Sequence, residues 1–234
     1  MKRTTAILII VLLLLPLQAI AGRSLTFSTI REARFKTPIM EIITEAYNRL
    51  GIAVTFAELN SQRALISAEQ GEYDGELFRI DGIQNQFPHL VQVDIPCFWT
   101  YPYIYVRRGD QFPVDGWQGI PKQFTMAALF GIKHQEQRVA AHGIRVVWVR
   151  SPEQALRFVS SGKADFTISD KTQGALIIDT RGISNLIRLS PPLERVDFFH
   201  YLHRKNEHLV PRIRQVLADM TAEGRIAGFA PSPD

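Results

Sequence analysis

The sequence predicts an α/β protein of two lobes, each a mostly parallel sheet flanked by helices. Three observations carry that prediction. Strand-like and helix-like segments alternate from Leu25 onward, the alternation occurs twice, and an aromatic, proline-containing stretch separates the two runs. The chain has 234 residues, 46% apolar and 21% charged, which is enough material for a sizeable core. Length alone accommodates one large domain or two smaller lobes, so the pattern along the chain decides.

In the first run, Leu25 to Ile30 is short, β-prone and bounded by charge, which predicts a strand. A helix is expected next, with Thr37 as its cap and Pro38 in its first turn. Ile39, Ile42, Ile43, Ala46, Tyr47 and Leu50 recur at helical spacing until Gly51 stops it, giving one apolar face for a sheet. Ile52 to Leu59 reads as the next strand, Ser61 as the cap of a short helix ending at Gly71, and Tyr73 to Arg79 as a third strand. Strands joined through helices at this spacing imply right-handed crossovers and parallel pairing.

The second run repeats the grammar. Phe124 to Leu129 predicts a strand, Lys133 to His142 a helix closed by Gly143, and Arg145 to Arg150 a strand. Ser151-Pro152-Glu153-Gln154 is a capping box with proline at the first helical position, opening a helix that runs to Gly162. Ala164 to Ile168 is a further strand. Between the runs, Pro96 to Val106 suits an extended connection; after them, Pro191-Pro192 marks a break, Val196 to Leu202 a strand and Leu209 to Met220 an amphipathic helix. The expected division is a signal peptide over residues 1–21, the first part of lobe 1 over 22–100, a crossing strand and lobe 2 over 101–194, and a return crossing with a C-terminal helix on lobe 1 over 195–234.

Lys2 and Arg3, the apolar run Ala6 to Leu17 and the small residues Ala19 and Ala21 predict a secretory signal peptide cleaved after Ala21, hence a periplasmic protein. Polar Gln18 makes the run short for a membrane span. Without Lys2 and Arg3 the basic count falls from 27 to 25 against 23 acidic residues, so the formal charge falls from +4 to +2. No basic block stands out, which argues against a nucleic-acid partner, and a monomer is expected. Cys97 is the only cysteine, so no intrachain disulfide forms, and its apolar neighbours predict a buried thiol.

In open parallel sheets, ligands bind beyond the carboxyl ends of the strands. That rule selects Arg79 in the first run and Asp170 in the second. A guanidinium matches a carboxylate and an aspartate accepts from an ammonium, so facing lobes would clamp a zwitterion between them. The competing expectation pairs Arg79 with Asp81 or Asp74 and makes Asp170 a cap. Phe130-Gly131-Ile132-Lys133 turns from strand into helix, where free N–H groups, the helix dipole and the Lys133 charge favour an anion. Glu32, after the first strand, and Trp99, in the crossing stretch, complete the candidate ligand-binding set. Arg79→Ala is expected to abolish binding with little change in thermal stability. No ordered hydrolase, nucleotide or metal pattern occurs: Ser160-Ser161-Gly162-Lys163 lacks partner motifs, and His200 and His203 point to opposite faces of a strand. No cofactor and no metal is expected.

Gly71-Glu72-Tyr73-Asp74-Gly75, Leu90 to Tyr103, Ala155 to Asp170 and the ending Leu209 to Ile226 occur in an order that resembles the extracellular solute-binding proteins of the amino-acid type (family 3), the periplasmic partners of ABC importers. The resemblance covers nearly all of residues 24–229. It implies a type II periplasmic-binding-protein, or venus-flytrap, fold that closes on a small polar or zwitterionic solute such as an amino acid. It also implies a membrane partner, either an ABC transporter permease or a sensor. Asp170 falls where such proteins place the carboxylate that receives an α-ammonium. Their carboxylate-binding arginine is replaced here by Gln86, the hydroxyl residues of the second-lobe helix start by Ile132 and Lys133, and the loop Ile30 to Arg34 is shorter. Periplasmic cyclohexadienyl dehydratases are similar in scaffold; in that alternative Glu76, Glu32 or Asp170 would be the proton donor. No catalytic activity is expected.

Overall fold

The computed structural model describes residues 24–31, 33, 35–226 and 228; the leader expected over residues 1–21, and Glu32, lie outside them. The strands are β1 (Ser24–Ile30), β2 (Ala53–Leu59), β3 (Gly75–Arg79), β4 (Leu90–Thr100), β5 (Tyr103–Arg107), β6 (Thr125–Leu129), β7 (Arg145–Val149), β8 (Phe166–Ser169), β9 (Leu186–Arg188) and β10 (Val196–His203). The helices are α1 (Lys36–Asn48), α2 (Ser61–Glu69), α3 (Lys133–His142), α4 (Pro152–Ser160), α5 (Lys171–Thr180) and α6 (Val210–Ala222). None of the described helices is long and apolar enough to cross a membrane.

Two five-stranded sheets result, in the orders β2-β1-β3-β10-β4 and β7-β6-β8-β5-β9. In each, four strands run in one direction, and the single antiparallel strand, β10 or β5, is the one the chain enters on arriving from the other sheet. Both sheets are covered on both faces, as parallel strands require. On one face of the first, Ile39, Ile43 and Tyr47 of α1 pack with Phe27, Ile213 and Leu217; on the other lie Leu65, Ala68 and Tyr201. Each fully buried large side chain contributes about 1.5–3 kcal/mol. The second sheet has Ile104, Val106, Trp117 and Met126 on one side and Tyr105, Leu156 and Val159 on the other.

Two caps differ from expectation. Phe35 occupies the N-cap of α1 without a side-chain bond, so Thr37 sits inside the first turn. Asn60, one residue before the expected cap, accepts from the Arg63 N–H at 2.9 Å, and Ser61 becomes the first helical residue with its hydroxyl directed elsewhere. Asparagine caps as well as serine, and the chain uses the earlier of the two. Ser151 caps α4 as expected, accepting from Gln154 N–H at 3.1 Å, while the Gln154 side chain returns to the Arg150 N–H. The stretch Pro96 to Val106, expected as an extended connection, supplies the last five residues of β4 and the first four of β5, broken at Tyr101-Pro102. Cys97 is buried, and burial pushes its thiol up to about 12.

Candidate functional site

Strand register directs the carboxyl ends of both sheets toward the crossing between them. In the first sheet Thr100, the last residue of β4, pairs with Val196, the first of β10, so that edge is where the chain crosses. Antiparallel β10 pairs Phe199 with Arg79, so the parallel strands beside it end toward the crossing. In the second sheet Tyr103, the first residue of β5, pairs with Ser169, the last of β8. The carboxyl ends of β6, β7 and β8 therefore also point to the crossing, and the two sets of ends face one another. The lobes meet there: a methyl placed on Gly82, just beyond β3, would lie 4.0 Å from Gln137 Nε2 on α3.

The first wall rests on a buried polar network. Glu76 and Arg79 lie three residues apart on β3, with side chains 0% and 6% exposed, at 2.7 Å. Arg79 Nε donates to Glu76 Oε1, and its Nη1 and Nη2 donate to the hydroxyl and carbonyl of Ser61, both at 2.9 Å. Ser28 donates to the other Glu76 oxygen. Burial pushes the Glu76 carboxyl up, against the opposing pull of Arg79 and Ser28. Arg79 thus stands at the predicted strand end, held by Glu76 rather than by Asp81 or Asp74, and it ties the start of α2 to the end of β3. Its removal would unbalance a buried charge, so the expectation of unchanged stability does not hold.

The second wall is more open. Phe130 is 74% exposed at the end of β6. Gly131 follows at φ +80°, a left-handed conformation that suits glycine. Its N–H donates to Glu136 Oε1 at 3.1 Å, and Lys133 Nζ donates to Glu136 Oε2 at 3.0 Å. The anion-favouring groups predicted there are thus brought together, with a carboxylate of the chain itself among them. Asp170 Oδ1 accepts from the Gln173 N–H at 2.8 Å as the cap of α5; its second oxygen has no partner among the described residues. Tyr105 donates from beneath to the Asp170 carbonyl at 3.4 Å.

Trp99 belongs to the crossing. Arg195 lies 4.3 Å over its ring and pairs with Asp197, while Gly228 packs against it. One residue earlier, Glu194 accepts from Trp117 Nε1 at 2.6 Å, and its carboxylate lies 2.7 Å from His134 Nε2 and within ion-pair reach of Arg138. These partners hold the Glu194 carboxyl below its ordinary value despite the opposing effect of burial. Among the described residues no group of three or more His, Cys, Asp or Glu side chains is placed to hold a metal. Ser61, Glu136 and Gln137 were missed as site residues; the three-residue spacing of Lys133 and Glu136 was the available signal for one of them.

Strand order and facing carboxyl ends define the class: the chain has the two-lobed type II periplasmic-binding-protein fold. Solved structures agree. A histidine kinase sensor domain with similarity to periplasmic binding proteins superposes with a TM-score of 0.64 at 18% identity, over 88% of this chain and 93% of that one. The arginine-binding protein of T. maritima, as its P235GK mutant, gives 0.62 at 16% identity, over 87% and 91%. The GluR0 ligand-binding core of Nostoc punctiforme in complex with L-glutamate gives 0.61 at 20% identity, over 86% and 95%. No family model matches the chain, and no curated protein matches it.

Proposed function

We propose that this protein is an exported, periplasmic receptor that binds a small polar solute between its lobes, without transforming it, and presents it to an ABC importer. The observation that carries this reading is the register, which turns the carboxyl ends of both sheets toward one gap. Loop backbone, helix starts and side chains from two independent walls converge there, as small-molecule sites require. Phe130 offers an apolar surface and the second oxygen of Asp170 an acceptor for an ammonium or hydroxyl. Arg79 acts on the solute through Ser61, whose position it fixes. The lobes rotate about Tyr101-Pro102 and Glu194-Arg195, where the chain passes from contacts in one lobe to contacts in the other.

The test is a thermal-shift screen against amino acids, polyamines, organic acids and short peptides, because a solute that binds only the folded state raises its melting point by mass action. A concentration-dependent rise with one chemical class is the expected result. No rise with any class contradicts the reading. A second reading, a sensory module for a membrane partner, is favoured by the likeness to the histidine kinase sensor domain. It uses the same cleft and differs in the protein recovered with it: a kinase-like partner instead of a permease.

A further inference from the structure

Each lobe places a cation beyond or at the carboxyl end of its sheet, Arg79 as the last residue of β3 and Lys133 as the first of α3 in the turn after β6, and both are neutralised by a carboxylate three residues away in sequence, Glu76 and Glu136. The second pair differs in one respect: the Glu136 carboxylate also takes the Gly131 N–H, so it occupies the position an anionic ligand group would seek at that turn. Other turn donors are used as well, since Phe130 N–H goes to Val149 O and Ile132 N–H to Leu129 O. The place is part of the gap between lobes, because Gln137, the next residue, is the one that approaches Gly82.

We propose that Glu136 is a specificity-determining residue: it stands in for a ligand carboxylate at the start of α3, so the cleft accepts solutes whose group at that end is neutral or cationic and rejects anionic ones. The inference rests on the reading of the cleft as a solute site and narrows its substrate class. An incoming carboxylate meets the Glu136 charge beside the two groups that would otherwise attract it, and like charges at this separation repel appreciably even near a surface. A neutral hydroxyl or an ammonium meets an acceptor instead.

The experiment is a titration with sodium acetate at constant ionic strength, followed at the Gly131 amide by heteronuclear NMR in wild type, Glu136→Ala and Glu136→Gln. The Gly131 signal of Glu136→Ala is expected to move saturably, at an acetate concentration at least about tenfold below any response of the wild type. Adding Lys133→Ala to Glu136→Ala should abolish the response. Glu136→Gln keeps the side-chain length while freeing Lys133, and it should respond in the same direction; it carries the test if the alanine variant is poorly folded. Wild type and both variants behaving alike would overturn the proposal. Acetate reports on this turn whether or not the lobes bind a solute, so a failed thermal-shift screen and a failed titration are separate results.

Discussion

The two internally neutralised cations show how burial changes the meaning of the same sequence spacing. Arg79 and Glu76 are 6% and 0% exposed, and Lys133 and Glu136 are 34% and 29% exposed, although each pair spans three residues, the first on β3 and the second in the first turn of α3. The first pair is built into the floor of its lobe, where every charge must be matched because water cannot compensate. The second lies where water reaches it, so the carboxylate can exchange partners at small cost. The polar network at the end of β3 is thus held by burial, and the one at the start of α3 is open to solvent.

Breaking the buried pair should have the largest effect. Arg79→Ala strands Glu76 in an apolar surround and is expected to cost about 3–5 kcal/mol, read as a lowered urea midpoint. Replacing both residues with apolar side chains of similar volume should recover much of that loss. A midpoint unchanged in Arg79→Ala would mean the pair is not buried as described.

Acid sharpens the contrast further. His200 on β10 lies wholly inside lobe 1, where its Nε2 accepts from Tyr47 Oη at 3.0 Å and its Nδ1–H donates to Leu77 O at 3.0 Å. Burial lowers its pKa to about 4, so the folded protein resists a proton that the unfolded chain takes up near pH 6.5. The associated stability is present in full above the unfolded value and is lost as pH falls toward 4, by about 3 kcal/mol in all. Glu76, pushed up by burial, works in the opposite direction, and half-buried His203, lowered mainly by burial, adds to the His200 effect. The quantity to measure is therefore the difference in urea midpoint between wild type and His200→Gln from pH 7 to pH 4. It should narrow as pH falls; a constant difference would contradict a neutral buried imidazole.

In lobe 2, Gly174→Ala should cost about 1–3 kcal/mol, because the added methyl would overlap the Tyr105 ring that supports the Asp170 backbone. Thermal unfolding of the variant checks this. The smallest effect belongs to the open pair: Lys133→Ala should change stability by less than about 1 kcal/mol, and salt should shrink the difference further. A loss as large as that of Arg79→Ala would erase the distinction between the two walls.

Most of the fold was legible because its elements carry local signals. Gly143 closes α3, and Ser151 with Pro152 opens α4, at the positions their backbone preferences dictate. The apolar spacing of α1 matches the burial of Ile39, Ile43, Ala46 and Tyr47. The site was legible only in outline. Strand-end logic selects Arg79, Asp170, Gly131 and Lys133, yet whether a charge is free depends on partners brought by tertiary packing. Ser61 reaches Arg79 across 18 residues of sequence, and Ser28 reaches Glu76 across 48. No local pattern encodes those meetings. Glu136 was nearer to hand, but three-residue spacing on a helix reads equally well as an ordinary surface pair.

Closure of two facing walls over a solute shortens the gap between them, and that gap can be measured. Spin labels at Gln62→Cys, on the exposed first turn of α2, and Arg150→Cys, on the exposed end of β7, report that gap, since the native Cys97 is buried. A solute that raises the melting point should shift the label-to-label distance distribution to a shorter, narrower one. A distribution unmoved by every stabilising solute would contradict binding between the lobes.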